Sequence, residues 1–448
     1  MKKLIFLLIF LISINCFSQW SGYPYYEDAS ELDGGIGMSW IDNHSYYTIS
    51  FQPDISLGKF GIGLGVNLLY DQETGKLRSQ DWDSSQDFLR IIRYLRYGHK
   101  NDPFYTKIGA LDAATIGHGF ILNYYNNQVD YDKRKLGLLL DADLGKFGFE
   151  SLTNNLVRLE VLGGRVYYRP LYNSDIPILK NIALGLSYIT DIDPDSSRAS
   201  HNAVAIWGAD IELPLIKSTL FQLMLYTDHA QIIKYGSGQT VGLQTDFIPI
   251  RNFLECRFTI EKRFLGKEFI PGYFGPFYEI LRNTTIAELI DFYYSQGGDS
   301  LGIPEKYQPI LAAQTIGQQD LLPMMNKSRS GWFTGLSANV LNIIKGVGYY
   351  QKIDGEANSG MLHFGAILSP KITALSLEAT YDKRGIGKFK DITTLDYRSV
   401  ARIGCGYRIN PFLLLYLDYI WNFTWDEELG CYKPQERFQP RLAFRYRF

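Results

Sequence analysis

Residues 46–70, YYTISFQPDISLGKFGIGLGVNLLY, alternate apolar residues with polar residues or glycine along two consecutive segments. Side chains at every second position of a β-strand share one face, so each segment presents an apolar face and a polar face. The Gly58–Lys59 pair between the segments suits a tight turn. The stretch therefore predicts two antiparallel strands with a continuous apolar face.

The same alternation recurs along the chain, in segments 207–213, 221–228, 241–247, 254–261 and 375–382. The predicted strands have about 10–14 residues, close to the ~9–11 that cross a membrane and longer than the usual ~5–6. Their second face carries charged residues, whereas the core of a soluble sheet would be apolar. The sequence therefore predicts an all-β fold, a transmembrane antiparallel β-barrel, rather than a soluble sandwich.

The composition agrees with this prediction. The 448 residues include 32 Tyr and 27 Phe, and membrane barrels concentrate aromatic residues in girdles at the two lipid–water interfaces. After residue 20, no apolar run approaches the roughly 18 residues of a membrane helix. A net charge of −2, without any basic tract, argues against nucleic acid as a partner.

The first residues are typical of an export signal. Lys2 and Lys3 form a basic start, residues 4–14 are apolar, and small residues up to Ser18 allow cleavage before Gln19. The predicted division is a cleaved signal peptide at 1–18, a short periplasmic segment at 19–33 and a barrel at 34–448 that begins with a strand at 35–41.

Cysteine usage does not indicate a disulfide framework or a metal site. Lipid attachment at Cys16 is a weaker alternative to signal cleavage, because Asn15 before it is a poor fit. Beyond the signal an odd number of cysteines remains, and none is spaced with histidine as in a zinc site. We therefore expect no metal and no cofactor. The remaining cysteines are Cys256 and Cys405, predicted to face lipid, and Cys431.

The chain ends on an alternating strand with a terminal aromatic residue. In residues 441–448, RLAFRYRF, Leu442, Phe444, Tyr446 and Phe448 alternate with Ala and Arg. This pattern resembles the terminal signal by which barrel-assembly machinery recognises outer-membrane proteins. Further segments resemble a family of uncharacterised Gram-negative outer-membrane β-barrels; they are 96–100, 117–120 and 163–170.

These resemblances imply a fold and a location, but no established function. They imply a chain that is exported to the outer membrane, surrounded by lipid and lipopolysaccharide, and assembled by the barrel-assembly machinery. Other outer-membrane proteins are further candidate partners.

Short turns alternate with longer polar connections. The turns lie at 58–59, 100–103, 145–146, 217–218, 250–252, 370–371 and 410–411, and the loops at 71–86, 117–133, 191–202, 267–330, 354–360, 385–397 and 426–436. Bacterial barrels have short periplasmic turns, long external loops and an even number of strands. The pattern predicts about 18–20 strands.

The largest connection, 267–330, is a loop insertion with its own pattern. An aromatic run at 269–278 precedes a predicted helix, in which Thr285 and Glu288 have the spacing of a capping box. One face of this helix is apolar, which a solvated loop does not need. We expect the insertion to fold into the lumen or to cap its mouth. The alternative is an external loop that packs on itself.

Arg90, Arg93 and Arg96 break the alternation, because a spacing of three residues puts neighbours on opposite faces. A lipid-facing arginine costs about 2–4 kcal/mol at the membrane midplane. We therefore expect a β-bulge near Arg93, or a position of Arg93 near the lipid headgroups or against a partner.

The second face of the strands predicts a charged lumen. The candidate lumen-lining residues are the basic Arg257, Arg263, Arg398, Arg402, Arg408, Arg441 and Arg445 and the acidic Asp210, Glu212, Asp228 and Asp246. Basic residues concentrate on the last strands, so opposed basic and acidic walls would create a transverse field that selects solutes. The alternative is that the charges pair across strands and hold a blocked lumen rigid.

No arrangement of residues predicts catalysis. Asp228 and His229 are adjacent and would point to opposite faces of a strand, and Gly117–His118–Gly119 is more typical of a turn. We therefore predict that the protein is not an enzyme.

The preferred functional interpretation is a porin-like channel in the outer membrane. It would allow passive diffusion of small polar or charged solutes, and the 267–330 insertion would narrow it. The alternative is a non-conducting barrel that serves as a scaffold or accessory subunit of an assembly or export complex.

Overall fold

Strands make up most of the described chain. The computed structural model describes residues 30–82, 88, 91–100, 102–130, 135–194, 203–250, 253–282, 317–369, 374–426 and 431–447. The strands are β1 (Glu31–Ile41), β2 (His44–Leu57), β3 (Phe60–Leu64), β4 (Val66–Asp71), β5 (Ile92–Tyr97), β6 (Phe104–Gly109), β7 (Gly137–Asp143), β8 (Phe147–Thr153), β9 (Val161–Tyr168), β10 (Ala183–Asp191), β11 (Val204–Lys217), β12 (Phe221–Ile232), β13 (Ser237–Ile250), β14 (Leu254–Leu265), β15 (Arg329–Val340), β16 (Ile344–Ile353), β17 (Gly360–Leu368), β18 (Leu375–Ile386), β19 (Ser399–Arg408), β20 (Leu413–Asp426) and β21 (Cys431–Arg447).

Helices are short and lie in the connections. They are α1 (Pro177–Lys180), α2 (Tyr278–Leu281) and α3 (Phe389–Ile392), with 3₁₀ turns at Ser79–Asp81 and Gln318–Met324. Within the described ranges, no helix is long and apolar enough to cross a membrane.

The sheet closes on itself. Each strand pairs antiparallel with its neighbours, and β1 pairs with both β2 and β21, so that Gly35 lies opposite Ala443 across the seam. β3 and β4 both pair with β2 and form one strand interrupted at Gly65. Pro53, on β2 beside the interruption, has no N–H to donate to the ladder. The result is a closed barrel of 20 antiparallel strands, which confirms the predicted fold class.

The predicted irregularity at Arg93 is a β-bulge. Gly63 and Leu64 are adjacent on β3 and pair with Tyr94 and Ile92 of β5. Arg93 is therefore the one extra residue of β5 at this point. The Arg93 guanidinium lies 3.8 Å from the carboxylate of Asp54, on the inner side of the barrel. The expectation of a bulge is therefore confirmed. Arg90 lies outside the described residues.

The outer face of the barrel is apolar. Ile49 and Phe51 are 47% and 52% exposed, whereas Thr48 and Ser50, which alternate with them, are buried. A sheet that exposes apolar side chains and buries polar ones is stable where its outer surroundings are lipid, so the barrel is of the transmembrane type. The predicted outward residues that are exposed include Tyr47, Leu57, Trp207, Ile211, Val241, Phe247, Phe258, Leu375 and Cys405.

The two ends of the barrel differ in their connections. At one end, here called the turn end, most of the described connections are tight, and they include the predicted turns at 58–59, 145–146, 217–218 and 410–411. At the other, the loop end, lie the long connections. Three connections do not follow this division. The loop end has tight turns at 42–43 and 233–236, and the turn end has the longer connection 169–182, which contains α1. Asp42 and Asn43 both have positive φ, as a two-residue hairpin turn requires.

Two connections of the loop end fold into the barrel. The first inward loop comprises residues 110–130, and the second comprises the described parts of the insertion, 266–282 and 317–328. Leu122 of the first forms a parallel bridge with Phe274 of the second. Both pack against inward residues of the wall such as Ile206 and Ala230, so the apolar core of the molecule lies inside the loop end of the barrel.

The inward course of the first loop corrects the sequence analysis, which placed 117–133 among the external polar loops. Its apolar residues Ile116, Phe120 and Leu122 have neither strand nor helix spacing, so periodicity does not reveal them. The helix predicted around Thr285 and Glu288 lies outside the described residues.

The first strand begins at Glu31, ahead of the predicted start at residue 35. The signal peptide predicted at 1–18 and the terminal Phe448 lie outside the described residues.

Candidate functional site

A short segment of the first inward loop spans the lumen from wall to wall. We call residues 117–125 the crossbar. Near its start, the ring of His118 stacks on Tyr226 of β12, with 3.9 Å between the ring centroids. Near its end, the ring of Tyr124 lies 4.7 Å from that of Tyr349 on β16 and 4.3 Å from that of His363 on β17. The crossbar therefore divides the interior of the barrel beneath the apolar core.

His118 anchors the crossbar electrostatically. Its Nδ1 lies 3.0 Å from Asp228 Oδ1, and its Nε2 lies 3.5 Å from Glu212 Oε1. Burial lowers the pKa of His118, but the charges of Asp228 and Glu212 outweigh burial and raise this pKa to about 9. The imidazole is therefore charged at neutral pH and can donate through both nitrogens. The preceding Gly117 N–H donates to Glu150 on β8 at 2.8 Å.

Arg165 organises the wall behind His118. Its guanidinium forms two hydrogen bonds to Asp210, at 2.8 and 2.6 Å, and one to Glu212 at 2.6 Å. It also lies 3.5 Å from Glu150. Arg165 projects from β9 into a cluster of carboxylates, so it compensates charges that would otherwise be buried unpaired. Asp210 and Glu212 are among the predicted lumen residues, but Arg165 is not, although it lies inward beside the outward-facing Val166.

The opposite wall supports the crossbar with aromatic rings. Phe333, Tyr349 and His363 lie on the adjacent strands β15, β16 and β17. Phe333 and Tyr349 stack at 5.2 Å, and Tyr349 and His363 stack at 5.6 Å. His363 Nδ1 lies 2.8 Å from Asp382 Oδ1 on β18. Tyr124 therefore rests on a ring surface that is itself fixed by a hydrogen bond to the wall.

Most of the predicted lumen charges lie on the inner face and pair with neighbouring strands. Arg257 binds Asp246 through two hydrogen bonds, at 2.5 and 3.0 Å. Arg263 lies 2.7 Å from Glu261 on its own strand and covers the ring of Phe333 at 4.3 Å. The alternation of β13 and β14 accounts for these positions, since every second residue faces inward.

The basic residues of the last strand are paired as well. Arg441 lies 3.3 Å from both Asp33 and Asp418, and Arg445 lies 2.7 Å from Asp33. The interpretation of opposed basic and acidic walls is wrong for these residues, because β1 and β20, the neighbours of β21, carry the carboxylates. Pairing across adjacent strands, the alternative from the sequence, describes them.

The predicted lumen residues Arg398, Arg402 and Arg408 are spread along the barrel rather than gathered. Arg398 precedes β19 at the loop end, where it lies 2.8 Å from Asp396. Arg402 pairs in register with the inward Ile420 and is exposed on the inner face. Arg408 is the last residue of β19, at the turn end.

A cavity of about 100 Å³ lies against the crossbar. It is lined by Lys100, by Thr115 and the crossbar of the first inward loop, and by the inner faces of β12 to β16. Its lining includes Lys100, His118, Tyr124, Tyr226, Arg257 and Phe333. Polar, charged and aromatic side chains therefore share this cavity with a few aliphatic ones, whereas the core above it is apolar.

A second buried ionic cluster holds the insertion against the wall. We call Lys135, Glu160, Asp191, Glu279 and Arg282 the latch. Arg282 lies 2.9 Å from Glu160, 3.0 Å from Glu279 and 3.0 Å from Asp191. Lys135 lies 2.5 Å from Glu160 and 2.7 Å from Glu279.

The electrostatics of the latch favour its charged form. Burial raises the pKa values of Glu160 and Glu279, but Lys135 and Arg282 outweigh burial, so both pKa values lie below the ordinary value. Because Glu279 belongs to α2 of the insertion and Glu160 to the connection before β9, the cluster ties two loops together.

Asp228 and His229, which were weighed together for catalysis, point to opposite faces of β12. Asp228 faces the lumen and His118, whereas His229 lies beside Trp207, an exposed residue of the outer face. Their opposite orientation confirms what alternation predicts for adjacent residues. Among the described side chains, no group of three or more His, Cys, Asp and Glu could hold a metal ion.

Comparisons with known proteins do not assign the chain to a family. No family model matches the sequence, and no curated protein matches it. OccK11 (OpdR) of Pseudomonas aeruginosa aligns with a TM-score of 0.31 and 9% identity, over 96% of this chain and 99% of that one. OprD of the same organism aligns with a TM-score of 0.30 and 9% identity, over 97% and 99%. CdiB from Acinetobacter baumannii aligns with a TM-score of 0.26 and 7% identity, over 94% and 60%. Likenesses this distant do not bear on fold or function, and the closed barrel rests on its own strand pairing.

Proposed function

We propose that the protein is a porin-like channel of the outer membrane, through which small polar or charged solutes diffuse passively. The observation that carries the proposal is the cavity beside the crossbar, lined by polar, charged and aromatic side chains inside a barrel with an apolar exterior. Polar and charged groups inside a barrel suit water and dissolved solutes rather than lipid.

The charge arrangement supports a hydrated path. Arg402 is exposed on the inner face, and Arg257, Arg441 and Arg445 line the same side of the sheet. Charged groups inside a barrel need water or counter-charges. The crossbar and the second inward loop would narrow the path, so that diffusion is restricted to small solutes.

Export is part of this proposal. The signal peptide at 1–18 would be removed, and the terminal strand would be read by the barrel-assembly machinery during insertion next to lipid and lipopolysaccharide. N-terminal sequencing of the protein from an outer-membrane fraction tests this step. A mature chain that begins at Gln19 is expected, and a chain that retains Met1 would contradict it.

A non-conducting scaffold is the second candidate, and one observation favours it. The apolar core inside the loop end reaches from Leu139 on β7 to Phe423 on β20, with residues of both inward loops between them. A core of this extent could close the barrel, and the protein would then serve as a rigid partner in an assembly or export complex.

Single-channel conductance in a planar bilayer separates the two candidates. The intact protein is compared with a variant in which residues 268–327 are replaced by a short Gly/Ser linker between β14 and β15. The channel proposal expects conductance from the intact protein and a larger conductance after deletion. Conductance only after deletion would make the insertion a plug and would favour the scaffold. Silence of both proteins would overturn diffusion as the function.

A further inference from the structure

Three neutral polar side chains in the cavity have no hydrogen-bond partner among the described residues. They are Gln244 on β13, Thr259 on β14 and Ser337 on β15, and all three line the cavity. Gln244 pairs in register with Thr259, and Ser337 lies opposite Arg257, two residues away on β14. Adjacent strands therefore present a small cluster of free hydroxyl and amide groups on one inner surface.

The charged groups of the cavity are already paired with the wall. Lys100 Nζ lies 2.5 Å from Asp141, and Arg257 binds Asp246 through two hydrogen bonds. His118 is held by Asp228 and Glu212 as described above. An ion entering the cavity would have to compete for these pairs or remain without a counter-charge, and an uncompensated buried charge is costly.

Aromatic rings complete the lining. Tyr124 of the crossbar, Tyr226 of β12 and Phe333 of β15 contribute to the same cavity. Binding sites for small molecules commonly combine such apolar surfaces with a few polar groups that fix orientation. Here the polar groups that remain free are neutral.

We propose that this cavity binds a small, neutral, polyhydroxylated solute of the size of a single sugar ring. The hydroxyl groups of such a solute would pair with Gln244, Thr259 and Ser337, and its C–H surface would pack on the aromatic rings. The proposal deepens the proposed function, since it names the solute class for the same cavity, but binding itself does not require conduction.

The size of the cavity agrees with this class. A volume of about 100 Å³ holds several water molecules, since one water needs roughly 10–15 Å³ by the same measure. A solute that replaces these waters with its own hydroxyls preserves their hydrogen bonds.

Calorimetric titration of the full chain in detergent micelles tests the proposal. D-glucose serves as the neutral probe, and gluconate and glucosamine serve as anionic and cationic probes of similar size. We expect glucose to bind at least about tenfold more tightly than either charged probe. Replacing all three free groups (Gln244→Ala, Thr259→Ala, Ser337→Ala) should weaken glucose binding by about tenfold or more, because each lost hydrogen bond contributes a few-fold.

Two further variants control for folding and for site. Thr380→Ala removes an inward hydroxyl from β18, outside the cavity, and should leave glucose binding unchanged. Gln244→Glu adds one carboxylate to the cavity and should shift the preference from glucose toward glucosamine. This gain cannot result from misfolding.

Several outcomes would overturn the inference. These are no binding of glucose, equal or tighter binding of a charged probe, and unchanged glucose affinity in the triple variant. If the protein binds glucose but shows no conductance in a planar bilayer, the binding site is supported and the channel proposal fails. Conductance without glucose binding would leave the channel intact and reject the site.

Discussion

Nδ1 of His118 lies 3.0 Å from Oδ1 of Asp228, so a residue of a loop and a residue of the barrel wall share an ion pair inside the lumen. The contact lies four residues before the end of β12 at Ile232, beneath the rim of the loop end. It fixes one end of the crossbar, while the ring contacts of Tyr124 fix the other.

The variant His118→Ala should release the crossbar from one wall. It removes the stacking on Tyr226 and leaves Asp228 and Glu212 with one cation fewer, a type of loss that typically costs on the order of 3–5 kcal/mol. Hydrogen–deuterium exchange of residues 117–125 should become at least tenfold faster. The matched control is His229→Ala, on the outer face of β12, which should leave the exchange of residues 117–125 unchanged. Equal protection in both variants would contradict the anchor.

The protonation of His118 should be visible in the alkaline range. Its pKa is raised from the ordinary 6.5 to about 9, so its stabilising contribution is complete below about pH 6.5 and is lost as the pH rises through about 9. Histidine NMR of the labelled protein in micelles should show one titration near pH 9 that is absent from His118→Ala. In Asp228→Asn this titration should move to lower pH, because burial lowers the pKa once the carboxylate is gone. A His118 titration near 6.5 in the unaltered protein would contradict the ion pair.

Arg282→Gln should open the latch. The change removes the guanidinium that Glu160 and Glu279 share and leaves Lys135 as their shared cation, and loss of one partner from a buried ion pair costs on the order of 3–5 kcal/mol. Limited proteolysis should then cleave within 269–282, a region that is buried in the unaltered protein. Lys433→Gln, which removes an exposed ion pair with Asp426, provides the comparison and should not change the cleavage pattern.

Acid should have the same effect as the latch variant. The pKa values of Glu160 and Glu279 are depressed below the ordinary 4.5, so their contribution is present above pH 4.5 and is lost as the pH falls through their lowered values. Protection of 269–282 against hydrogen exchange should therefore persist at pH 5 and decrease toward pH 2. Protection that is independent of pH over this range would show that packing alone holds the insertion.

A charge on the outer face should be far more costly than a charge in the lumen. Ile49→Arg places a guanidinium on the lipid side of β2, at a cost of about 2–4 kcal/mol near the midplane. Urea unfolding in phospholipid vesicles should show this loss, whereas Thr380→Arg, on the inner face, should be tolerated with a much smaller change. Similar losses from the two variants would question the assignment of the faces.

Alternation along the strands was sufficient to predict the faces and the bulge. Ile49 and Phe51 face outward and Asp246 and Arg257 face inward because a strand has only two faces. Arg93 could be identified because it violates that rule. These are local properties, and a sequence displays them directly.

The crossbar could not be predicted in the same way. His118 and Tyr124 are separated by glycine, apolar and asparagine residues without a period, and their partners Tyr226 and His363 lie on distant strands. Arg165 was missed for a different reason, because Gly163 and Gly164 precede it on β9 and leave little alternation before it. Contacts across the lumen depend on which strands face one another in the closed barrel, and they produce no periodic pattern of residues in the sequence.

The bridge between Leu122 and Phe274 has a consequence for the order of assembly. Both residues belong to loops, after β6 and after β14, whereas the seam joins β1 to β21 and needs nearly the whole chain. The contact between the two inward loops can thus form while the sheet is still open, before β21 pairs with β1. In a barrel assembled in this order the wall closes around loops that have already packed together, and the loops do not have to enter a finished barrel through its mouth.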